Sequence, residues 1–70
     1  MARSMRLTVN GEEEEVEAGA TVAILVARLG LGNERVAVEV NRKIVRRAGW
    51  PDTPLAEGDV VEIVHFVGGG

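Results

Sequence analysis

The 70 residues make one domain, near the lower end of what folds unaided, and with no cysteine neither a disulfide nor a thiolate metal site can staple it. A hydrophobic share of 46%, mostly valine, leucine and alanine, suffices for a core and favours strands. The net charge of -3 argues against nucleic acid, which wants a basic face: Arg42, Lys43, Arg46 and Arg47 cluster, but glutamates near the N-terminus oppose them. No apolar run approaches a membrane span and no signal peptide precedes the first strand, so a cytoplasmic protein without membrane contact is expected.

Residues 1–4 show no pattern and read as a disordered extension, with the folded domain expected over 5–67. Met5 to Asn10 alternates, placing Met5, Leu7 and Val9 on one face. Asn10-Gly11 is a strong hairpin signal, because a type I′ turn needs positive φ at both positions. The return strand, Glu12 to Glu17, carries a glutamate run that would suit a metal or a cationic partner. A solvated strand face that discourages edge pairing is the commoner use of such a run, and no metal site is assigned.

Thr21 is placed to cap a helix whose apolar residues Val22, Leu25, Val26 and Leu29 recur at helical spacing. There is no capping box, since Ile24 stands where an acid would reach back, and Gly30 and Gly32 supply the stop. Arg35 to Asn41 alternates again with Val36, Val38 and Val40 inward. A turn at Asn41-Arg42 leads to a short strand around Ile44-Val45, then to a loop, Arg46 to Leu55, that holds both prolines. Trp50 in that loop suits a lid over one end of the core, since a small domain can hardly spare its largest side chain. Glu57-Gly58-Asp59 turns into the last strand. The order is β-β-α-β-β-β, and the connection through the helix has the length of a crossover. An α+β architecture follows, a mixed sheet of four to five strands with one helix packed on one face.

The last strand runs straight into Gly68-Gly69-Gly70. Glycine loses more backbone freedom on ordering than any other residue, so these residues read as a slim, mobile tail ending in a carboxylate. Such a tail can thread a channel too narrow for any Cβ; a frayed terminus is the plain alternative. Alternation puts Val61 and Ile63 in the core and Glu62, Val64 and Phe66 outside, an apolar patch suited to docking a partner. In the competing arrangement Phe66 folds back onto Leu7 or the Trp50 loop. His65, the lone histidine, suits packing or a partner contact better than a general base. No phosphate loop, nucleophile–base pair or metal cluster stands out, so no catalytic residue is assigned.

Several segments together resemble one family. They are Leu7-Thr8-Val9-Asn10-Gly11, Ala18-Gly19-Ala20-Thr21-Val22, Val38 to Val45, Arg47-Ala48-Gly49-Trp50, and the close from Leu55 to Gly70. In these the chain is similar to the ubiquitin-like β-grasp sulfur carriers, the MoaD/ThiS family and its thiamin branch in particular. Arg42 departs from the pattern, since many members carry Gly after Asn41. The resemblance implies a co-substrate rather than an enzyme. A ThiF-like adenylating enzyme would use ATP to form a glycyl adenylate at Gly70. Sulfur from a cysteine desulfurase would turn it into a thiocarboxylate, 1-thioglycine, for a ThiG-like thiazole synthase. No bound cofactor is implied. A molybdopterin synthase small subunit and a protein modifier share the activation step and stay open as alternatives. A β-grasp module that binds RNA or a small ligand fits the acidic charge and the tail poorly.

Overall fold

The computed structural model describes residues 3–66. Strands β1 (Ser4–Val9) and β2 (Glu12–Glu17) form an antiparallel hairpin closed by Val9 opposite Glu12. Its turn residues Asn10 and Gly11 both have positive φ, 50 and 83, as the type I′ reading requires. The strand starts one residue earlier than expected. Ser4 pairs with Glu17, and the Arg3 carbonyl accepts from Ala18 N–H at 2.9 Å, so these two residues do not belong to a disordered extension. β2 sends only Val16 into the core; its glutamates are exposed apart from a half-buried Glu14.

Helix α1 (Val22–Arg28) is capped by the Thr21 hydroxyl, which accepts from Ile24 N–H at 3.3 Å. Its end is a Schellman motif: Leu31 N–H donates to Val26 C=O and Gly30 N–H to Ala27 C=O, with Gly30 at φ 75. Gly30 alone makes the stop. Gly32 adopts no left-handed backbone and instead offers its carbonyl to Arg47. Strands β3 (Val36–Val40) and β4 (Lys43–Val45) form a second hairpin through Asn41 and Arg42, φ 51 and 70.

The loop expected around Trp50 contains a 3-10 helix, Arg47–Asp52. Trp50 is buried, and its Nε1–H donates to the Val45 carbonyl at 2.9 Å. The Arg47 guanidinium lies 4.4 Å from the ring centroid and donates to the carbonyls of Gly32 and Glu34. One cation thus roofs the lid and ties it to the chain leaving α1. Thr53 to Leu55 clip to the start of the helix through Val22 N–H to Thr53 C=O and Leu55 N–H to Ala20 C=O.

Strand β5 (Val60–His65) completes a five-stranded mixed sheet in the order β2-β1-β5-β3-β4, with β5 parallel to β1 and antiparallel to β3. β2 and β3 run in the same direction with β1 and β5 between them, so the crossover through α1 spans both central strands. Val22, Leu25 and Val26 of α1 pack on one face of the sheet against Leu7, Val38, Val61 and their neighbours. Among the described residues no helix covers the other face. Among the described residues no helix is long and apolar enough to cross a membrane.

Candidate functional site

The features that point to function lie along β5 and the open face of the sheet beside it. The strand is held from both sides by its neighbours and by two asparagines left over from the hairpin turns. Asn10 N–H donates to Val61 C=O at 2.9 Å; its Oδ1 accepts from Ile63 N–H at 2.7 Å and its Nδ2 donates to Ile63 C=O at 3.1 Å. Asn41 works at the other end, where its Oδ1 accepts from Val60 N–H at 2.9 Å and its Nδ2 donates to Asp59 Oδ1 at 3.0 Å. The Glu57-Gly58-Asp59 turn is fastened to β1 as well. Glu57 Oε1 accepts from Arg6 N–H at 2.9 Å, and Gly58 N–H donates to Arg6 C=O at 2.8 Å. These bonds fix where β5 begins and how its residues face.

Val61 and Ile63 point into the core, and Glu62, Val64 and Phe66 point to the open face. Val64 is 61% exposed and Phe66 59% exposed, while Phe66 N–H donates to Arg35 C=O at 2.9 Å. Phe66 therefore does not fold back onto Leu7 or the Trp50 loop. Strand pairing brings two further apolar residues to this face that alternation alone did not single out, Ile44 at 73% exposure and Val60 at 46%. Ile44 lies opposite Glu39, and Glu39 lies opposite Glu62, so one row across β4, β3 and β5 reads Ile44, Glu39, Glu62. Two carboxylates thus face each other directly, framed by Ile44, Val60, Val64 and Phe66, and neither is ion-paired among the described residues. Like charges in this position disfavour the sheet, and an incoming cation would relieve them.

His65 does not join this group. It alternates with Glu62 and Val64 to the helix side, where its Nε2 lies 3.8 Å from Glu34 Oε1 and both side chains stay more than half exposed. The expectations for Gly68, Gly69 and Gly70 lie outside the described residues. Among the described residues no group of three or more His, Asp or Glu side chains could hold a metal ion. What this end of the molecule offers is an apolar surface with a paired negative charge at its centre.

A mixed five-stranded sheet with parallel central strands and a single helix laid across one face is the ubiquitin-like β-grasp, and the likeness to solved structures is close. The crystal structure of the thiamine biosynthesis protein ThiS from Geobacter metallireducens matches with a TM-score of 0.81 at 35% identity, over 94% of this chain and 100% of that one. A family model described as the ThiS family matches residues 1–70. The chain belongs to the ThiS family. Among relatives, the sulfur carrier protein ThiS of Bacillus subtilis is 38% identical over 65 residues, covering 91% of this chain and 98% of its own length. A thiazole synthase of Magnetococcus marinus is 44% identical over 66 residues, 94% of this chain. A second, from Paramagnetospirillum magneticum, is 42% identical over the same length. The chain spans 20% of the length of those two thiazole synthases.

Proposed function

We propose that this protein carries sulfur for the thiazole ring of thiamin on the carboxylate of Gly70, as a co-substrate of partner enzymes. The observation that carries the reading is the match of residues 1–70 to the ThiS family. The chemistry is consistent with the residues. A carboxylate is a poor electrophile until it acquires a leaving group. A ThiF-like enzyme supplies one: the Gly70 carboxylate attacks the α-phosphorus of ATP, pyrophosphate leaves, and an acyl-adenylate remains. The terminal sulfur of a persulfide formed by a cysteine desulfurase attacks the acyl carbon, and AMP leaves. A thiol reductant then cleaves the S–S bond of the resulting acyl disulfide, and the terminus becomes a thiocarboxylate. A ThiG-like thiazole synthase takes the sulfur from there. With no cysteine in the chain, sulfur has no thiol to ride on. The two relatives named thiazole synthase, which hold a region like this chain within a longer polypeptide, support that enzyme as a partner.

Docking falls to the open face beside the end of β5. Val64 and Phe66 bury apolar surface, and Glu62 with Glu39 receives a cationic side chain of the enzyme. His65, on the opposite face, contributes at the rim. Gly68 and Gly69 let the tail reach the reacting centre. The test is adenylation by the adenylating enzyme, followed by ATP–pyrophosphate exchange, for the natural chain and for Gly69→Val. The natural chain is activated, and Gly69→Val is slowed by about a hundredfold or more with unchanged melting, because a branched side chain obstructs a channel shaped for glycine. Equal exchange rates for the two would reject a tail that threads a tight site.

A further inference from the structure

Strand β5 is an interior strand for most of its length and a free edge at its end. Its register with β3 runs from Val61 opposite Val40 to His65 opposite Val36, and Phe66 N–H still donates to Arg35 C=O. Its register with β1 covers only Thr8–Val60 and Val9–Val61, after which the chain turns away at Asn10-Gly11. The Asn10 carboxamide extends that side by one residue, to Ile63, and no described residue continues it. In an antiparallel ladder the main-chain groups of successive residues point to opposite neighbours. Phe66 N–H points at β3, so the N–H and C=O of His65 point to the side β1 has left, and no described residue bonds either group.

Elsewhere the fold guards its edges. β2 carries the glutamates Glu12, Glu13, Glu14, Glu15 and Glu17, and β4 is three residues long with Arg42, Lys43 and Arg46 about it. The gap beside His65 has no such guard and adjoins the exposed Val64 and Phe66. An unpaired strand edge is a template for an added strand.

We infer that an extended segment of the thiazole synthase partner adds to β5 on the β1 side at His65, continuing the sheet past the Asn10-Gly11 turn. The inference rests on the reading given under Proposed function. The added segment exchanges main-chain hydrogen bonds with His65, so it grips the carrier whatever its side chains. It explains why pairing on the β1 side stops at the Asn10 carboxamide: a longer β1 would occupy the place the partner takes.

The test is amide hydrogen exchange of the full chain, free and in complex with the thiazole synthase of the same organism, together with binding of two variants. In the free protein the His65 amide exchanges faster than those of Val64 and Phe66, and in the complex it slows by roughly tenfold or more. His65→Pro removes the N–H that the added strand needs while sparing the bonds to β3, in which that group takes no part. It binds about tenfold or more weaker than His65→Ala, which lacks the same imidazole but keeps the main-chain donor. Equal binding of the two variants, or a complex in which the His65 amide stays unprotected, overturns the inference and leaves the sulfur-carrier reading standing. Should His65→Pro fail to fold, protection of the His65 amide decides alone. Absence of any binding by the natural chain overturns both.

Discussion

The Asn10 carboxamide gives Ile63 the two hydrogen bonds that a further residue of β1 would have given it, accepting from its N–H at 2.7 Å and donating to its C=O at 3.1 Å. A turn residue chosen for positive φ is thereby also the last rung of the parallel β1–β5 pair. Asn10→Gly keeps the turn and removes the rung. We expect a loss of about 1–2 kcal/mol, since Ile63 is left with unmatched main-chain groups in a half-buried position. The melting temperature falls by roughly 5–10 °C. A fall of less than about 2 °C would mean that water replaces the amide without cost.

Arg42 sits at φ 70 in the second hairpin turn, a conformation that costs a side-chain-bearing residue about 1 kcal/mol or more. Arg42→Gly should raise the melting temperature by roughly 4–8 °C. Thermal denaturation checks this, and an unchanged or lower melting point would show that the arginine is compensated by contacts of its own.

Glu62 faces Glu39 across the β5–β3 pair, so Glu62→Gln removes a repulsion. Stability should rise by about 0.2–0.5 kcal/mol while binding to the adenylating enzyme weakens several-fold and loses part of its salt dependence. Denaturant unfolding and titrations at two ionic strengths check the two halves. Gain of stability with undiminished binding would remove the carboxylate pair from the interface.

Phe66 is more than half exposed, so Phe66→Ala should melt within a few degrees of the natural chain. Its affinity for the adenylating enzyme and for thiazole synthase should drop by ~2 kcal/mol or more, the usual cost of truncating an interface anchor. Calorimetric titration against each enzyme decides. Unchanged binding to both would place the docking surface elsewhere.

Much of this fold is written in local chemistry. The two hairpin turns, the Thr21 cap and the period-2 faces of β1, β3 and β5 depend on neighbours a few residues apart, and the structure has them where those residues stand. What depends on partners far away in sequence was not legible. Ser4 carries no apolar signal and joins β1 only because Glu17 pairs with it. Ile44 lies in a strand of three residues, too short for alternation to declare a face; its exposure follows from the register with Glu39. The 3-10 helix around Gly49 and Pro51 has a composition that reads as a loop. Period-2 logic applied strictly would have parted His65 from Glu62, Val64 and Phe66, and the structure does part them. The asparagines are the subtler omission: their left-handed turns were readable, whereas the use of their side chains to hold β5 required knowing which strand lies alongside.

The central claim is that sulfur travels on Gly70. It is tested most directly by incubating the protein with the adenylating enzyme, ATP, a cysteine desulfurase, cysteine and a thiol reductant, then taking intact and peptide masses. The account predicts a species heavier by the exchange of one oxygen for sulfur, dependent on ATP and confined to the peptide that ends in Gly70. Sulfur on any other peptide, or no mass change while adenylation proceeds, would contradict it.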